Sequence, residues 1–328
     1  MDSDGQLTFD DDIVTIRYKQ GFQYVIRRDF ATALAHFQGL TGQSTAAHLA
    51  RVIQVLEFIV PRYAKLKTSD PEEEQAALLK RLWKETEAFF RDKKIEFPEF
   101  LEQLRKVLLG QVIEVLVKRF QKLDVPDIEL LCDLAGHFIE LKDYVKAEET
   151  LVYAARLRPD DPCVLALRSD TAYFSGDLKK AKGFLREAFY RDPDLACADR
   201  LRSGLAKEIR LLTEKDGHRE RTTSWMPVVA TYTNIFDTKR ELSKEEVLDL
   251  EDQCKTIEDR VGQGRLSPET AKPGLIYRYF LLMDHLLVSG QVNNARLAVY
   301  EAKLKKLDEK AYSAYINKVF YENGDHNV

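Results

Sequence analysis

The chain has 328 residues, enough for a large core and, on ordinary domain sizes, about two domains. Its 50 Lys and Arg stand against 54 Asp and Glu, a formal charge of −4, so no basic excess is available to neutralise nucleic-acid phosphates. The opening MDSDGQLTFDDD is acidic and has no apolar centre, unlike a secretory signal, and no apolar run reaches the ~20 residues of a membrane helix.

Asp12 is placed to cap a helix running to about Ile26. Between Tyr18 and Leu40, the residues Gly21, Tyr24, Asp29, Phe30, Ala33 and Phe37 mark a helical hairpin with small side chains at its crossing. Three long helices follow. The first opens near Ser44 and carries Ala46, Leu49, Val52, Ile53 and Leu56 at helical spacing, with Pro61 expected to kink or end it. The second opens at Ser69 or Asp70, with Pro71 and three glutamates in its first turn, and buries Leu78, Leu79, Leu82, Trp83 and Phe89. The third starts near Pro98 and ends by Leu123, with Leu104, Leu108, Val112, Val115 and Leu116 inside.

The span from Ile128 to Pro193 contains two segments that superimpose at an offset of 34 residues. Asp143 maps to Asp177, Ala147 to Ala181, Leu151 to Leu185, Ala154 to Ala188 and Pro159 to Pro193. A small side chain at Ala147 and Ala181 lets two helices approach to roughly 8–10 Å. Asp143 and Asp177 suit N-caps, and the prolines stop the second helices because proline cannot donate to the ladder. With Leu131, Leu134, Ala135 and Phe138 on the first helix, this span resembles the tetratricopeptide repeat (TPR) family, whose period is 34 residues. Gly21 to Ala33 has the same spacing as Ala135 to Ala147, so Tyr18–Leu40 reads as a third unit, lacking the closing proline. Ile113, Val117 and Phe120 hold the small-large-small places one period earlier, a degenerate unit with wider packing.

Beyond Pro193, Leu195 through Leu212 reads as a capping helix for the array. Lys215 to Arg221 is a charged break. Trp225 to Tyr232, β-branched and interrupted by Pro227, is expected to be extended, with Trp225 as an anchor. Ser243 and Glu246 form a capping box for a helix ending at Gly262. Ser267 and Pro268 announce another start, which Pro273 would move to begin after itself. Gly290, Ala295 and Ala302 match the spacing of Gly176, Ala181 and Ala188, a fourth and weaker hairpin, capped by a helix from Asp308 to about Tyr321. The expected organisation is an all-α, TPR-like helical-hairpin solenoid. Its regions are an N-terminal helical part (1–125), two clear repeats plus a cap (126–215), a linker and extended segment (216–242), and a C-terminal helical part (243–328).

Motifs for catalysis are missing: no nucleophile elbow, no HExxH, no phosphate loop ending in Gly-Lys-Ser/Thr. Gly262-Gln263-Gly264 follows a helix rather than a strand and reads as a loop. His36, His48, His137 and His285 fall on expected helices as packing or surface residues. Cys132, Cys163, Cys197 and Cys254 lack CxxC spacing, so no metal or cofactor is expected. Cys163 and Cys197 are one repeat apart, but adjacent helices at about 8–10 Å exceed the Cα limit of a disulfide near 7 Å. Reduced thiols in a cytoplasmic, soluble protein are the expectation.

In tetratricopeptide arrays the first helices line a concave groove that receives a peptide or partner helix. The resemblance implies a lining of Cys132, Gly136 and Ile139, then Cys163, Ala166, Asp170 and Tyr173, then Arg200 and Lys207 of the cap, with Tyr18, Phe22 and Val25 in the N-terminal unit. Ile139 and Phe22 read equally as core, and Arg200 and Lys207 as solvated. Members that grip acidic chaperone tails use Lys, Asn and Arg at positions held here by Cys132, Gly136, Leu167, Cys163 or Cys197, and Leu201, which form no charge-assisted bonds. The expected function is a non-enzymatic adaptor or scaffold for a protein or peptide partner, without nucleic-acid binding or membrane insertion. Self-assembly through an exposed end or the Trp225 segment is the alternative, and an enzyme pocket among the non-repeat helices stands behind it.

Overall fold

The computed structural model describes residues 9–41, 47–66, 71–237, 240–289 and 294–324. Among these the chain is all-helical, with fifteen α-helices and no strand. None of the described helices is long and apolar enough to cross a membrane. Ser44, Ala46, Ser69, Asp70 and Gly290 lie outside the described residues. The chain divides into two compact units, Met1–Asp143 and Tyr144–Val328. That division falls inside the first clear repeat and inside the region 126–215 drawn from sequence.

The first unit holds α1 (Phe9–Ile26), α2 (Phe30–Gln38), α3 (Ala47–Tyr63), α4 (Glu72–Asp92), α5 (Pro98–Gln121) and α6 (Ile128–Glu140). Successive helices pack on one another, and α1 also touches α5. The α1–α5 contact skips elements, which a strict nearest-neighbour stack does not do. α1 begins ahead of Asp12, which therefore stands in the first turn rather than at the cap. Asp29 caps α2 by accepting from the Thr32 amide at 3.1 Å. Pro61 lies in the last turn of α3, which continues to Tyr63.

Gly21 is where the N-terminal hairpin closes. A Cβ there would lie 2.4 Å from the Phe37 ring, and Phe37 is fully buried between Tyr18 and Phe22. The ring has no space to retreat. Gly21→Val is expected to destabilise this unit by about 2–3 kcal/mol, read as a lower urea midpoint, with Phe37→Leu in the same chain restoring part of it. An unchanged midpoint would mean that the two helices are not in such close contact.

The second unit holds α7 (Tyr144–Leu157), α8 (Pro162–Phe174), α9 (Leu178–Arg191), α10 (Gly204–Lys215), α11 (Thr222–Tyr232), α12 (Lys244–Gly262), α13 (Pro268–Val288), α14 (Asn294–Leu307) and α15 (Glu309–Gly324). The α8–α9 hairpin is closely packed. Ala181 and Ala188 are fully buried, and the buried Ser169 hydroxyl donates to the Ala181 carbonyl at 2.7 Å. Asp177 caps α9 through the Lys180 amide at 3.0 Å. Asp127 and Asp161, one period apart, cap α6 and α8 in the same way.

Several expectations are corrected here. The Trp225–Tyr232 segment is not extended: it lies in α11, packed against α10, α13 and α15. Every residue from Trp225 to Thr231 is buried, and a helix apolar on all sides is stable only in that setting, whatever its β propensity. The cap expected from Leu195 begins as helix only at Gly204, after a 3-10 turn, Ala198–Arg200. Asp192 holds the chain out of helix by accepting from the amides of Asp194 and Ala196, at 3.1 and 3.2 Å. α13 runs through Pro273 from Pro268, with Ser267 as its cap. In α14, Ala295 and Ala302 are exposed while Tyr300 and Leu304 face the core, so the small-residue crossing of α9 is not repeated there. The capping box at Ser243 and Glu246 is present in both directions.

Candidate protein-binding site

The residues singled out for a groove fall into different surroundings. Tyr18 and Phe22 each pack edge to face with Phe37 and lie tilted against each other, and Phe22 also meets Phe100 at 5.4 Å. Burial raises the Tyr18 phenol above its ordinary pKa, and its hydroxyl is enclosed. Cys132 and Ile139 are buried on α6. Trp225 is buried as well, stacked on His218 at 3.6 Å between centroids and 4° between planes.

On α8 the expected groove face is occupied by the chain itself. Asp170, 1% exposed, accepts from the amide of Ser203 at 3.2 Å and from that of Arg202. The Tyr173 hydroxyl rests against Gly204, where a Cβ would lie 2.2 Å away. The Cys163 thiol is hydrogen-bonded to Cys197. Residues 195–204 thus run as a strap along positions 163, 170 and 173 of α8. Arg200 lies in this strap, and Lys207 is exposed on α10. These residues are brought together, but largely by one another.

A more open feature lies on α9. Ala181, Leu185, Ala188 and Phe189 turn inward, which leaves Lys179, Lys182, Gly183 and Arg186, at i, i+3, i+4 and i+7, on a common face. Across from them come Phe236, Asp237 and Arg240, enclosing a cleft with a cavity volume of about 260 Å³. Lys182 meets Asp237 at 2.5 Å. Arg240 is held from three sides: Glu187 at 3.0 Å, Glu246 at 2.7 Å, and the face of Tyr190 at 4.1 Å. Burial alone would lower the Arg240 pKa, but those two carboxylates outweigh it and keep the guanidinium charged. Arg186, mostly buried, reaches Asp284 at 3.6 Å. The lining holds four cations against the two carboxylates Glu187 and Asp237, with Phe236 as an apolar floor.

No family model matches the chain, and no curated protein does. Fixed guanidinium and ammonium groups beside an aromatic edge suit carboxylates carried next to apolar side chains. Sequence reading passed over these residues. The signal was the basic stripe Lys179, Lys182 and Arg186 on a helix whose opposite face was already assigned to the crossing; Arg240 carried none.

Proposed function

We propose that the protein is a non-enzymatic adaptor that binds an acidic segment of a protein partner at the α9 cleft. The supporting observation is the stripe of Lys179, Lys182 and Arg186 facing Phe236 and Arg240 across an open cavity. Cations already held in place lower the ordering cost of binding, and charge-assisted bonds to carboxylates are strong. On binding, Lys182 exchanges Asp237 for a carboxylate of the partner, and an adjoining apolar side chain covers Phe236. The tetratricopeptide resemblance of Ile128–Pro193 supports the same class of function, with the docking face moved from α8, where the strap lies, to α9.

Fluorescence anisotropy with labelled peptides of glutamate and leucine tests this. Lys179→Glu with Lys182→Glu is expected to weaken binding about tenfold or more, and added salt to weaken the wild type. Equal binding by both proteins would remove the cleft from the proposal. Light scattering across concentration examines self-assembly: an oligomer that the same pair of substitutions dissolves would point to another copy of the chain as the occupant.

A further inference from the structure

We propose that Cys163 and Cys197 form an oxidant-sensitive dithiol, whose disulfide pins the 195–204 strap to α8. The separation expected for two parallel helices does not apply. Cys197 lies in the turn before the 3-10 segment, and the two thiols are already hydrogen-bonded. Cys163 is the second residue of α8, its amide donating to the Asp161 cap at 3.0 Å, and its side chain is partly exposed. Cys197, itself in the strap, is buried, 3% exposed. This is the arrangement of an attacking thiol and a resolving one: one reachable from solvent, the other enclosed beside it.

The electrostatics agree. The hydrogen bond with Cys197 holds the Cys163 thiol below its ordinary pKa; burial and Asp161 oppose it, and the Arg200 guanidinium helps. Cys254 is the contrast, a buried thiol that burial pushes up to about 12. Of the two thiols, Cys163 is the one shifted toward the thiolate, the nucleophilic form.

The chemistry balances with hydrogen peroxide as oxidant. The Cys163 thiolate attacks one peroxide oxygen; an S–O bond forms, the O–O bond breaks, and hydroxide leaves to take up a proton as water. Cys197 sulfur then attacks the Cys163 sulfenic acid. The S–S bond forms, the S–O bond breaks, and the departing hydroxide leaves as water with the Cys197 proton. Two thiols are oxidised and one peroxide is reduced to two waters. A thiol reductant reverses it by exchange. Closure to the ~2.05 Å bond needs a shift of the thiols from hydrogen-bonding distance, and Cys197 sits at the start of a 3-10 turn, its carbonyl accepting from the Arg200 amide at 2.9 Å, rather than within an α-helix.

The test is made on the full chain carrying Cys132→Ser and Cys254→Ser, treated with hydrogen peroxide and then alkylated. The expected result is one linked peptide pair containing Cys163 and Cys197, about 2 Da lighter than the sum of its parts and separated again by dithiothreitol. Hydrogen exchange at Arg202 and Ser203, whose amides bind Asp170, should slow by about fivefold or more in the linked form. With Cys197→Ser, Cys163 should instead accumulate as a sulfenic acid that reacts with dimedone. Two thiols that still alkylate after peroxide, or Cys163 passing to the sulfinic acid without linkage in the presence of Cys197, would overturn the proposal. Because the linkage is read in the chain that keeps both cysteines, a folding defect in the serine variant does not hide the answer.

Discussion

Replacing Asp284 with alanine is expected to destabilise the Tyr144–Val328 unit by about 3–5 kcal/mol, the cost of breaking a buried ion pair from one side. Asp284 is 3% exposed, toward the C-terminal end of α13. It accepts from the Tyr315 hydroxyl at 2.8 Å and faces the Arg186 guanidinium at 3.6 Å, so a single carboxylate joins α9, α13 and α15. Removal leaves a mostly buried cation and a fully buried phenol without that acceptor. Water cannot easily replace it, because Tyr315 is stacked on Phe280 with centroids 4.5 Å apart. Chemical denaturation followed by circular dichroism gives the size of the loss. Adding Arg186→Met to Asp284→Ala should recover part of it, since the orphaned charge goes too. A loss below about 1 kcal/mol would show that the pair is solvated and that α9 is not tied to α13 through it. Because Arg186 also lines the α9 cleft, the same variant should loosen the cleft wall and weaken acidic-peptide binding.

Asp170→Ala is the second large effect, expected at about 2–4 kcal/mol. Two amides, those of Arg202 and Ser203, have their acceptor in this side chain, and the Ser203 amide is in a fully buried residue. Asp170→Asn keeps one carbonyl oxygen but turns an amide NH₂ toward a backbone donor, so an intermediate loss is expected. The pH dependence has a definite sign. Burial raises the Asp170 pKa above its ordinary 3.8, and the bonds from Arg202 and Ser203, which favour the charged form, only partly offset that. The folded state therefore holds this proton more tightly than the unfolded chain. The group's contribution is full below pH 3.8 and is lost as pH rises through the folded value. Wild type should lose stability relative to Asp170→Asn across that window, measured as the gap between urea midpoints at a series of pH values. A gap that widens as the pH rises would contradict the sign.

Legibility in the sequence followed the range of the interactions involved. Helices with an amphipathic stripe and local caps were readable: α9 with Asp177, α12 with Ser243 and Glu246, α13 with Ser267 and Pro268. Each of these signals lies within one or two turns. α11 was misread for the opposite reason. Val228, Val229, Thr231 and Pro227 argue locally against a helix, and only enclosure by α10, α13 and α15 favours one. The α14 alanines had the right spacing, but Tyr300 and Leu304 supply more apolar area to bury and so set which face turns inward.

The candidate sites divide along the same line. Tyr173, Asp170 and Cys163 were identified as one face of a helix, and they do share one. What covers that face depends on Asp192 turning the chain after Pro193 and on the distant acceptor that Asp170 provides for Arg202 and Ser203. The sequence by itself determined the all-helical class, most helix starts and the small-residue crossing at Ala181, because periodicity and capping act between near neighbours. Only the tertiary structure decided that the strap closes over α8 and that Arg240 comes to α9. Those arrangements depend on hydrogen bonds and ion pairs between residues tens of positions apart, and sequence spacing carries no record of them.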